Sequence, residues 1–240
     1  MSLLTDWVMG HNKSTLHERH RTTHTHVIGN PGAGKSRCLE SWIMQDIGAG
    51  RGVGVIDPHG ELFQNLLHRL ALHPETWDRI ILMNPLDPKW TIGFNPLESD
   101  NRFQSQRLAL YMTDVAMKIW NINTGNAPRM LWLLTNTFLA LSERGLSLLE
   151  LPRFLTDSDF RSDHVSALKN VNTRNYFLFE FPESEAARNQ WIAPVLNKMG
   201  GLIFDPDIRL IFSGSSTINF HDIMDDQKIL LVNLPKGTLG

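Results

Sequence analysis

The chain has 240 residues, 42% of them hydrophobic and 20% charged, with a formal net charge of −2 and a pI near 6.5. This is the balance of an ordinary globular protein with enough length for a sizeable core. It excludes a globally basic nucleic-acid binder, so any surface for nucleic acid must be local. Cys38 is the only cysteine, which excludes an internal disulfide and fits a reducing compartment. Met1 to Gly10 lacks the basic start and long apolar run of a secretory signal.

Residues 1–23 are mixed and polar. His17, His20, His24 and His26 crowd this stretch, but no cysteine supports a zinc site, and surface or strand histidines are the plainer reading. Thr25-His26-Val27-Ile28 reads as a short strand. It runs into Gly29-Asn30-Pro31-Gly32-Ala33-Gly34-Lys35-Ser36, which fits G-x-x-x-x-G-K-[S/T], the phosphate-binding loop of nucleoside triphosphatases. Cys38, Leu39, Trp42, Ile43 and Ile47 then recur at helical spacing, so a helix is expected to open at about Lys35.

The chemistry follows from the residue types. Gly29, Gly32 and Gly34 permit turns that a Cβ would block. Successive amides from Gly29 through Asn30, Pro31, Gly32, Ala33 and Gly34 to Arg37, where a nitrogen carries hydrogen, make an anion nest at the positive end of the helix. Lys35 is expected on the β- and γ-phosphates of ATP, and the Ser36 hydroxyl on Mg²⁺. Pro31 limits the entropy that the loop loses on ordering.

Gly48 to Gly52 reads as a turn. Val53-Gly54-Val55-Ile56 follows as a buried strand that delivers Asp57, with Glu61 four residues on. An acid at the carboxyl end of such a strand sits where ligands collect in an open α/β sheet. Asp57 reads equally as a group that holds Mg²⁺ through a water and as a turn residue. Glu61 reads as a general base or, preferably, as a favourable first-turn acid. Leu62, Phe63, Leu66, Leu67 and Leu70 continue as a helix, and Arg79-Ile80-Ile81-Leu82-Met83 as another strand. The alternation predicts a parallel sheet covered by helices. Thr91 to Pro96 is expected as a loop or edge strand.

From about Asn101 the periodicity is helical. Helices are expected through Leu108 to Trp120, from Pro128 to Leu141, and then at 147–155, 157–168 and 183–199. The span 130–141 is interrupted by Thr135, Asn136 and Thr137 and is too short to cross a bilayer. The sheet is expected to resume at Gln227 to Leu234. The organisation expected is residues 1–100 as the first part of a nucleotide-binding domain, 101–200 as an all-helical insertion, and 201–240 as a return to the first domain.

Gly29 to Ser36, Asp57-Pro58-His59-Gly60-Glu61-Leu62, Asn95-Pro96-Leu97, Val195 to Gly201, Asp205 to Phe212 and Ile229 to Gly237 together resemble the FtsK/HerA-type motor ATPases. The closest branch is that of the conjugative coupling proteins and their relatives in type IV secretion. The resemblance implies a RecA-like α/β domain with an all-helical insertion, which assembles as a ring, a hexamer, and moves DNA at the expense of ATP and Mg²⁺. It also implies contacts with secretion or conjugation components. The expected location is cytoplasmic, at the inner face of the inner membrane if the parent protein carries an anchor. In that family an apolar strand ending in Asp-Glu completes the catalytic site further along. It has no counterpart in these 240 residues, so the sheet is expected to be incomplete and turnover weak. Two other readings stay open. One is a nucleotide-gated assembly or docking subunit without turnover, and the other is a small-molecule P-loop kinase. The helical region, poor in paired arginines, speaks against the kinase.

Overall fold

The computed structural model describes residues 16, 18–85, 87, 92–99 and 101–235. The chain divides into two compact units. One comprises Met1–Trp90 with Asn219–Gly240, the other Thr91–Ile218.

The first unit is built on a small parallel sheet of three strands, β1 (Val53–Asp57), β2 (Ile80–Met83) and β3 (Ile229–Asn233), in the order β1-β3-β2. The strand that comes last in sequence occupies the centre, and all five of its residues are buried. Its sequence, Ile-Leu-Leu-Val-Asn, suits that place, because a central parallel strand is covered on both faces. Helix α1 (Lys35–Gly48) and helix α2 (Glu61–Leu70) pack on the face that carries Val55, Ile229 and Leu231. Met44, Ile47, Phe63, Leu66 and Leu70 fill that contact. Glu40 is buried in α1 and is paired with Arg69 of α2, which supplies the partner that a buried acid requires.

The amino end of the sheet is tied shut. The Arg79 Nη2 donates to the carbonyls of Arg51 (2.6 Å), Gln227 (2.7 Å) and Gly50 (3.1 Å). A Cβ on Gly52 would stand 2.9 Å from the Gln227 Cα, so glycine is required there for the two segments to close.

The expected strand Thr25–Ile28 does not form. Residues 24–30 are irregular and Ile28 is 82% exposed. Only Val27 and Ile28 are apolar among His24 to Asn30, too few to cover both faces of an inserted parallel strand.

The second unit is all-helical. Its elements are α3 (Arg102–Trp120), α4 (Pro128–Glu143), a 3-10 turn (Leu148–Glu150), α5 (Leu151–Thr156), α6 (Ser158–Ser166), α7 (Val171–Asn175) with a following π turn (Tyr176–Glu180), α8 (Glu185–Phe204) and α9 (Pro206–Phe212). Helix α4 is the axis. Leu133, Leu134, Phe138, Ala140 and Leu141 are buried in it, and α3 and α8 pack along it. Phe154, Phe177 and Phe181 add edge-on ring contacts at 5.2 and 5.6 Å. The starts follow local chemistry. Asn101 accepts from the amides of Phe103 and Gln104, Asp157 from those of Asp159 and Phe160, and Ser147 with Glu150 forms a capping box. Ser147→Ala removes one half of that box and should cost about 1 kcal/mol in thermal or urea unfolding.

The helical unit is wider than the expected 101–200. The Phe94 amide donates to the Ile211 carbonyl (2.7 Å), that of Asn95 to the Ser216 Oγ (3.0 Å) and that of Thr217 to the Gly93 carbonyl (2.9 Å). Both ends of the unit are thus sewn together by the backbone. The chain returns to the first unit at Asn219 rather than at 201, and α8 and α9 belong with the helices. Residues 92–95 form a loop, not an edge strand.

Candidate functional site

Helix α1 opens at Lys35, as its glycine-rich approach requires. Gly34 is the N-cap, with φ 86°, and offers no side-chain cap. Gly32 has φ 79°, so both positions hold left-handed backbone that an L side chain rarely adopts. The Ala33 amide closes a turn onto the Asn30 carbonyl (3.1 Å), and the Cys38 amide begins the helical ladder on the Gly34 carbonyl (2.9 Å). Gly29 to Gly34, Ser36 and Arg37 are exposed, and Lys35 is half-buried.

Lys35 decides the shape of the loop. Its Nζ donates to the carbonyls of Gly29 and Asn30, each at 2.9 Å. The side chain therefore folds back over the loop and sets its ammonium across the mouth. Both partners are neutral carbonyls, so the contact leaves the ammonium positioned for an anion. The helix start beneath it adds unsatisfied amides and the positive end of the helix dipole.

Topology places this loop at the carboxyl end of the sheet. Helix α1 packs on β1, and the turn at residues 49–52 joins the helix end to the strand start. The two therefore run antiparallel, and the helix start lies level with the strand end. Asp57 stands there on β1, Asn84 just after β2, and Asn233 at the end of β3.

Asp57 is 5% exposed. Its Oδ1 accepts from the His59 amide and its Oδ2 from the Phe63 amide, both at 2.9 Å. The N-cap of α2 is Gly60, which has no side chain, so Asp57 supplies the missing acceptor from three residues upstream. Burial pushes its carboxyl up, but the amides of Phe63, His59, Gly60 and Leu62 together hold it below the usual carboxylate range. Of the two readings of Asp57, this geometry accounts for the capping one. Glu61 is the exposed first residue of α2, where an acid favours the helix dipole.

A depressed carboxylate adds stability above its unfolded pKa of about 3.9 and loses it as pH falls through the folded value. Asp57→Asn should therefore cost about 1–2 kcal/mol at neutral pH, and the difference from the native chain should shrink below about pH 4. Urea unfolding across pH measures it.

Two residues of this end were not singled out from sequence. The Asn233 Nδ2 donates to the Asn84 Oδ1 at 3.0 Å, while the buried Asn233 Oδ1 has no hydrogen-bond partner. The available signal was an asparagine closing each of two apolar strands. Of the four crowded histidines, His20, His24 and His26 are exposed, and His17 lies outside the described residues. Among the described residues no cluster of three or more His, Cys, Asp or Glu is placed to hold a metal. Arg209 is exposed on α9. Among the described residues no helix is long and apolar enough to cross a membrane. Compared with protein-family models, with curated proteins and with solved structures, the chain finds no match.

Proposed function

We propose that the first unit binds the phosphates of ATP, with Mg²⁺, at Gly29 to Arg37. The observation that carries this reading is the fold-back of Lys35 over the Gly29 and Asn30 carbonyls at the start of an uncapped helix. Backbone amides of the loop take the phosphate oxygens, and Lys35 balances the charge of the β- and γ-phosphates. The exposed Ser36 hydroxyl is the metal's protein ligand. Bound Mg²⁺ supplies charge neutralisation between the phosphates. Asp57 contributes indirectly, by fixing the turn that ends β1.

On this reading the fold is RecA-like, supported by the parallel order β1-β3-β2 and by the helix that follows the loop. The resemblance to FtsK/HerA-type motors, nearest the conjugative coupling proteins, extends the proposal to an ATP-fuelled, ring-forming DNA translocase of a conjugation or secretion system. A nucleotide-gated docking role is the second reading. The engagement of both Asp57 oxygens by backbone amides favours it, since that occupies the acid at the end of β1 with capping α2. Both readings place the protein in the cytoplasm.

Calorimetric titration with Mg·ATP, Mg·ADP and adenosine tests the common core. Phosphate-directed binding predicts measurable affinity for both nucleotides and none for adenosine. Equal affinity for all three would overturn it. Phosphate release by the native chain should be slow and unchanged in Glu61→Gln; a large loss in that variant would make Glu61 the base. With a net charge of −2, the monomer should bind DNA weakly, with affinity that falls steeply with salt in an anisotropy series.

A further inference from the structure

Helix α3 turns its small residues inward and several of its large apolar ones outward. Ser105, Ala109, Thr113 and Ala116 are buried on the side that packs along α4. Leu110, Tyr111, Val115 and Ile119 lie off that contact and are between 42 and 65% exposed. A helix that served only to cover a core would place its bulk the other way round. Contiguous large side chains left in water mark a surface that another protein covers.

Two charges complete the outer face. Arg107 and Asp114 are exposed and stand two turns apart, with Leu110 and Tyr111 between them. They are about 10 Å apart along the axis, too far to pair with each other. Among the described residues neither side chain has an ion pair or a hydrogen bond.

This pattern is complementary to itself. Residues 107 and 114 are equidistant from the point between 110 and 111. A two-fold axis through that point sets a second copy of α3 antiparallel to the first. Arg107 then faces Asp114 of the second copy, Asp114 faces its Arg107, and Leu110 faces its Tyr111. Two pairs of opposite charge thus flank four apolar side chains, and Val115 falls beside the methylene stem of the second copy's Arg107. A parallel pair in register would instead set Arg107 on Arg107 and Asp114 on Asp114. The charges therefore specify both the partner and its direction, and a two-fold contact of this kind closes at two copies.

We propose that the outer face of α3 binds a second copy of this chain, as an antiparallel helix pair centred between Leu110 and Tyr111. The contact is one helix wide, at the small end of specific interfaces, so the dimer is a micromolar one. It involves no residue of the phosphate loop and needs no nucleotide.

Sedimentation equilibrium of the full chain, at low salt and without nucleotide, tests it. The native chain should pass from monomer to dimer over roughly 1 to 200 µM. Arg107→Asp sets like charges opposite one another and should weaken association at least about tenfold, and Asp114→Arg should do the same. The combined variant, Arg107→Asp with Asp114→Arg, should associate as the native chain does. An equimolar mixture of the two single variants should also recover the dimer, because each then meets the opposite charges. Circular dichroism checks that these exposed substitutions leave the helices folded. A native chain that stays monomeric throughout the range overturns the proposal. So does association that the single reversals leave unchanged, or a loss that neither the combined variant nor the mixture restores.

Discussion

Lys35→Ala should weaken Mg·ATP binding by roughly 30- to 150-fold while leaving the fold intact. Among the described residues the ammonium makes no ion pair; its partners are the Gly29 and Asn30 carbonyls, both exposed to water when the side chain is cut back. Its removal therefore leaves no buried charge. What is lost is a charge-assisted contact with the phosphates, about 2–3 kcal/mol. Lys35→Arg is a poor rescue, because the wider guanidinium cannot sit on two carbonyls 2.9 Å away in the same way. Calorimetry gives the affinity and circular dichroism the fold. A folded Lys35→Ala that binds ATP as the native chain does would remove the loop from the account.

Phe138→Ala should destabilise the helical unit by about 3–5 kcal/mol and leave nucleotide affinity unchanged. Phe138 is 2% exposed in the centre of α4, among Leu134, Leu141 and the residues of α3 and α8. Truncation removes most of a ring's buried area and opens a cavity that helices pinned at both ends cannot close. Gly93, Phe94 and Asn95 are fixed to Thr217, Ile211 and Ser216, so the unit cannot relax by letting its ends part. In calorimetric unfolding the transition of this unit should fall by roughly 10 °C or more. The phosphate loop belongs to the other compact unit, so ATP titration should be unaffected at temperatures where both are folded. A small shift, or a parallel loss of ATP affinity, would contradict the division into two units.

Much of this architecture was legible because the signals are local. The apolar runs Val53–Ile56, Ile80–Met83 and Ile229–Val232 are strands, and helical periodicity located α2, α3 and α4. The start of α1 could be read from Gly34-Lys35. The order of the strands could not. The run at 229–233 lies far along the chain, and nothing in its periodicity says that it enters between β1 and β2. Val27-Ile28 looked like a strand because β-branched residues are enriched in strands, yet two apolar residues among polar neighbours do not hold a place in a sheet. Asp57 was ambiguous for a physical reason. A carboxylate at a strand end can bind a metal or cap the next helix, and only the positions of the His59 and Phe63 amides distinguish the two. The outer limits of the helical unit depend on backbone pairs between residues more than 110 positions apart, which no local pattern encodes.

The central claim, that the phosphates of ATP sit on the loop from Gly29 to Arg37, is tested most directly by amide hydrogen exchange of the full chain with and without saturating Mg·ATP. The account predicts slowed exchange in the peptides that cover residues 29–38, and no slowing there in Lys35→Ala at the same nucleotide concentration. Protection confined to other segments, or protection of the loop that persists in Lys35→Ala, would contradict it.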